Sequence, residues 1–66
     1  MATETFGQRL RYWRKLRGWS QQELAERASC SQWRISQYEI DRQIPSLEVL
    51  SDLIKALKDN GGLKNG

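Results

Sequence analysis

Ser29-Cys30-Ser31 interrupts two apolar patterns of helical period, and that interruption constrains the chain more than any other feature. The stretch from Gln21 to Ile40 (QQELAERASCSQWRISQYEI) reads as two short helices joined by a tight turn. Leu24, Ala28, Cys30, Ile35 and Tyr38 lock the two together, and small Ala25 sits where their axes would cross. Placing residues about 100° apart on the second helix puts Ile35 and Tyr38 on one face. Trp33, Gln37 and Ile40 fall nearly opposite, with Gln32 and Ser36 along one edge.

The same logic extends in both directions. Thr5 is an N-cap with Gln8 three residues on, and Phe6, Leu10 and Trp13 follow as one stripe, with Arg11 and Lys15 pointing away and Arg14 on the flank. Gly18 suits the left-handed residue that ends this helix, while Trp13 and Trp19 are expected in the core. Ser20 and Glu23 make an S-x-x-E box opening a helix over about Gln21 to Ala28, and Ser31 caps the next, Gln32 to about Ile40. Asp41 to Pro45 is a loop, because the residue before a proline is pushed out of the helical region. Ser46 then caps a fourth helix, whose inward stripe is expected at Leu47, Leu50, Ile54 and Leu57. The expected organisation is all-α, a compact four-helix bundle, with a flexible lead over 1–4, one domain over 5–58, and a tail or truncated linker over 59–66.

Composition removes whole classes of function. A chain of 66 residues hides only ~60% of the surface it exposes when unfolded, so it holds one small core. It has one cysteine and no histidine, which leaves no internal disulfide, no Cys/His zinc site and no histidine base. No metal, cofactor or enzymatic activity is expected: no nucleophile has a base, and no Gly-rich phosphate loop appears. No apolar run approaches a membrane span, and the apolar stripe of the first helix is needed for the core, so neither a spanning nor a surface membrane role is expected. A reducing, cytoplasmic setting fits best. The net charge is only +3, but Arg9, Arg11, Arg14, Lys15 and Arg17 fall between Phe6 and Arg17 with no acid among them. Such a basic half is compatible with nucleic acid. Cys30, small and flanked by serines, reads as a packing residue rather than a reactive thiol.

What remains after the core is assigned carries the functional reading. The helix that starts at Gln32 presents Gln32, Trp33 and Arg34 in its first turn, where a helix lying in a major groove meets base edges. A glutamine amide can donate to and accept from adenine. Trp33 can pack against a thymine methyl, fold back over the stems of Arg9 or Arg42, or serve a protein partner. Ser20 and Gln21 supply N–H groups at a helix N-terminus for phosphate, and Arg42 supplies a cation.

The pattern RLRYWRKLRGWSQQELAERASCSQWRISQYEIDRQIPSLEVLSDLIKAL resembles the phage repressor/Cro-like helix-turn-helix family over about Phe6 to Leu57. The resemblance rests on RG-W-S-Q, E-L-A, S-Q, I-S-Q-Y-E and P-S-L-E at their respective places. It implies a lambda-repressor-like bundle of four or five helices that binds double-stranded DNA as a homodimer. It places base contacts on Gln32, Trp33 and Gln37, with Arg34 and Ser36 as auxiliaries. Gln21 is implied to touch a phosphate and to brace the start of the recognition helix, and Arg14 to pair with Glu39. The chain departs from the family pattern at Ser29, where glycine is usual, and at Ile40-Asp41, where Asp41 would repel a phosphate. No fifth helix has a candidate. Some relatives are antitoxins, so an alternative is a protein-interaction module, such as an antitoxin or co-regulator, using Trp33 and Ile40.

Overall fold

Hydroxyl caps start all four helices. The computed structural model describes residues 4–59 and contains α1 (Phe6–Leu16), α2 (Gln21–Ala28), α3 (Gln32–Glu39) and α4 (Leu47–Asp59). Thr5 and Ser20 each form a full capping box, with Gln8 and Glu23 reaching back to the cap N–H. The hydroxyls of Ser31 and Ser46 accept from the N–H groups of Arg34 and Val49. Each cap satisfies a donor that the helix itself leaves orphaned.

The ends of α1, α2 and α3 share one device. In each, a residue in the left-handed region follows the helix, and the next N–H folds back to a carbonyl one turn earlier. Gly18 has φ 75°, and Trp19 N–H donates to Arg14 O at 3.1 Å. Ser29 has φ 59°, and Cys30 N–H donates to Ala25 O at 2.9 Å. Asp41 has φ 62°, and Arg42 N–H donates to Gln37 O at 2.9 Å. Only the first uses glycine, the residue for which this conformation is free of Cβ strain. Ser29, standing where the family pattern has glycine, takes the left-handed backbone, and Asp41 shares it.

α3 packs against both α1 and α2, and α4 packs against α2. The core joins Leu10 of α1, Leu24, Ala25 and Ala28 of α2, Ile35 and Tyr38 of α3, and Leu53 and Ala56 of α4. Trp19, Cys30, Val49 and Leu57 pack around it, half-buried. Burial raises the Cys30 thiol above the ordinary thiol value, with Arg34 opposing and Asp52 adding to the effect. The side chain is thus a poorly ionising packing group.

Two expected stripes are corrected. On α1 the buried line is Gly7, Leu10 and Arg14, while Phe6 and Trp13 lie at the rim, Trp13 being 43% exposed. Gly7 explains the shift. A Cβ there would collide with the carbonyl oxygens of Tyr38 and Glu39, so the glycine sets how closely α1 lies on α3. Trp13 instead stands edge-on to Tyr12 and beneath the Arg17 guanidinium, 5.9 Å from the ring centre. On α4, Leu53 and Ala56 face inward, while Leu47 (84% exposed) and Ile54 (46%) face out. This helix is apolar over so wide an arc that two stripes compete. Small Ala56 lets α4 approach α2 where a larger side chain would hold it off. The expected lead and tail lie almost wholly outside the described residues.

Candidate nucleic-acid interface

α3 is short, and its position is fixed from below. Ile35 is fully buried and Tyr38 nearly so, which anchors the inner face. At its C-terminal end Glu39 accepts from Arg14 Nε at 2.6 Å and Arg14 Nη2 at 3.1 Å. The pair is nearly sealed from water, Arg14 being 8% exposed and Glu39 7%. Arg14 Nη1 also donates to Trp19 O at 2.8 Å, and Gln21 Nε2 donates to Glu39 Oε1 at 3.1 Å. One network therefore ties α1, the α1–α2 turn, the first residue of α2 and the last of α3. Buried charges need this degree of hydrogen bonding to be tolerated.

Gln21 thus braces the end of α3 and not its start, a correction to what the resemblance implied. One amide hydrogen is committed to Glu39, whose oxygens already hold the arginine. Ser20 is also committed: its hydroxyl accepts from Glu23 N–H at 3.0 Å, and its N–H donates to Glu23 Oε1 at 2.8 Å. The Glu23 carboxylate sits at the α2 N-terminus, so the capping box leaves the N–H groups of Gln21 and Gln22 for an external anion.

On the outer side of α3, Gln32, Trp33 and Arg34 are exposed, and Ser36 and Gln37 are half-buried. Trp33 is 59% exposed. Guanidiniums stack on the rings of Trp13 and Trp19, and among the described residues none stacks on Trp33. Ile40, 57% exposed, closes the helix beyond it. Gln32, Trp33, Arg34, Ser36 and Gln37 therefore share one helix, and Arg42 follows two residues after Ile40 with its side chain in solvent.

Asp41 was expected to face a phosphate unfavourably. Its carboxylate instead turns to the start of α1, accepting from Thr5 Oγ1 at 2.6 Å and Gly7 N–H at 3.0 Å. It lies at the positive end of the α1 dipole, so its charge is compensated within the fold. Gly7, Asp41 and Arg17 are the structural residues that sequence reasoning missed. The Arg17 guanidinium donates to Leu57 O near the end of α4, from Nε at 2.8 Å and also from Nη2. A glycine inside a helical pattern was a visible signal for Gly7. Nothing local marked the other two, whose partners lie 34 to 40 residues away.

The helix-turn-helix family model matches residues 10–58, most of the chain. The chain belongs to the helix-turn-helix family. No curated protein and no solved structure gives a significant match. Within this helix-turn-helix, α2 and α3 are the paired helices and Ser29 to Ser31 the turn, in keeping with the phage repressor/Cro-like resemblance. The family consists of DNA-binding transcription regulators and is not typically enzymatic. No helix is long and apolar enough to cross a membrane among the described residues.

Proposed function

We propose that this helix-turn-helix reads a specific double-stranded DNA sequence with α3 in the major groove, as half of a symmetric dimer. The observation that carries this reading is the contrast across α3. Its inner side is clamped by the Arg14–Glu39–Gln21 network, while its first turn offers Gln32, Trp33 and Arg34 to solvent. Gln32 and Gln37 are assigned to base edges through their amides, and Trp33 to a thymine methyl and the adjoining sugar wall. Arg34 and Ser36 assist. Phosphates fall to Arg42 and to the α2 N-terminus at Ser20 and Gln21, chiefly through the Gln21 backbone N–H. A two-fold dimer places its half-sites about one helical turn apart, ~34 Å. The protein acts in the cytoplasm as a regulator, a repressor by the resemblance.

Selection of bound sites from a random duplex pool tests this directly. A paired motif at that spacing is expected, and recovery of no motif would sink the proposal. A second reading rests on Trp33 and Ile40, two large apolar side chains more than half exposed on α3 and at its C-cap. They form the contact of an antitoxin or co-regulator with a protein partner in that reading. Titration with random duplex at low and high salt separates the two: indifference to DNA at both would favour the partner.

A further inference from the structure

The outward stripe of α4 runs through Leu47, Leu50 and Ile54 outside the buried core, and Leu57 packs only at the margin of that core. Two mostly apolar grooves run along it and meet at Ile54 and Lys58. The larger lies between α4 and the end of α2, with Leu47, Leu50 and Ile54 in its floor and Arg27 at its edge. The smaller, about 200 Å³, lies between α4 and α1, walled by Trp13, Ile54 and Leu57. Exposed apolar surface of this extent, rimmed by charge, marks an interaction site.

We propose that this face docks an amphipathic segment of a partner protein whose apolar side chains are flanked by carboxylates. The choice of occupant rests on charge. Among the described residues, Arg17, Arg27, Lys55 and Lys58 line the two grooves, against one acid, Asp52. Among the described residues the only ion pair joins Arg14 to Glu39, and none of these four cations is in an ion pair there. A second copy of the chain would bring the same cations face to face, whereas an acidic segment complements them. Two of the cations are also held in place. Arg27 stacks on the Trp19 ring at 4.3 Å, and Arg17 is fixed by the Leu57 carbonyl. A guanidinium already immobilised loses less freedom when a carboxylate reaches it. From Leu47 to Lys58 the ridge is about 17 Å long at 1.5 Å per residue, which matches three turns of a docked helix.

The test is a titration of nitrogen-15-labelled protein with a short amphipathic helical peptide built of leucine, alanine and glutamate. Saturable shifts are expected at the Trp13 indole and the Ile54, Leu57 and Lys58 amides. Ile54→Ser and Lys58→Glu, both changes of exposed side chains, should each weaken the peptide about tenfold while leaving duplex DNA affinity unchanged. The matching peptide with lysine for glutamate should not bind. No saturation, equal binding of the lysine peptide, or shifts centred on α3 would each overturn the proposal. So would shifts of Trp13 and Ile54 on dilution without peptide, which assign the face to a second copy. Loss of duplex affinity in Lys58→Glu would assign the cations to DNA instead.

Discussion

Three residues act through the backbone rather than through what their side chains contribute to a face. Intrinsic helix propensity favours Gly7→Ala by ~1 kcal/mol. The carbonyl oxygens of Tyr38 and Glu39 reverse that sign, and the substitution should cost ~1–3 kcal/mol or more in urea unfolding as α1 is driven off α3. Ser29 and Asp41 share one left-handed conformation and differ in what their side chains do. Ser29→Gly should stabilise by ~0.5–1 kcal/mol, the relief of Cβ strain less the added freedom of the unfolded chain. Asp41→Gly gains the same relief but loses the acceptors of Thr5 Oγ1 and Gly7 N–H, so its midpoint should fall or stay unchanged. A rise as large as that of Ser29→Gly would show the Asp41 contacts to be idle. Cys30 adds a pH signature. Its raised pKa means the folded protein holds the thiol proton more tightly than the unfolded chain does. That contribution is intact below the unfolded-state pKa and lost as pH climbs through the folded one, so Cys30→Ala should flatten the stability profile only on the alkaline side.

At the scale of elements, α3 carries the clearest separation of roles. Trp33→Ala removes an exposed side chain and should leave stability within about 0.5 kcal/mol. If Trp33 meets a thymine, discrimination at that base pair should drop by ~1–3 kcal/mol in competition binding, as for Gln32→Ala or Gln37→Ala. Arg14→Ala does the opposite: it strands the Glu39 carboxylate, costs ~3–5 kcal/mol and depresses binding to every sequence by reducing the folded fraction. The turn between α2 and α3 was legible in the sequence because caps, box and inward residues all agree within eight-residue helices. Helix α4 was less so, because Leu47, Leu50 and Ile54 are spaced as well as Leu53 and Ala56, and only Leu57 of the expected stripe packs against the core. Which stripe wins is decided by packing against α2, which buries Leu24, Ala25 and Ala28 in the same core as Leu53 and Ala56. Trp13 failed for a related reason: its place in the stripe with Phe6 and Leu10 suggested burial, but Gly7 rotates the buried line of α1 towards Arg14. The family pattern located Arg14 and Glu39 correctly as a pair and misplaced the end of α3 that Gln21 supports.

Across the whole molecule, cations are spread over more than one face, so affinity for DNA and the identity of the face used are separable. Binding to duplex should weaken with salt, and Arg42→Ala should lower the slope of log K against log salt by about 1 without changing the motif. An unchanged slope would remove Arg42 from the phosphate contacts. The same molecule also holds α2 and α3 at eight residues each, too short to persist as isolated helices in water. Their hydrogen-bonded amides therefore depend on packing for protection, while the first-turn N–H groups stay open to water. The hydrogen-bonded amides of α3 should exchange through the global opening, at the rate of the slowest amides in α1. The surface proposed to meet DNA then has no partly melted form. On heating, binding competence and the fold disappear in the same transition, and a protease that captures the open chain finds the recognition helix and the core exposed together.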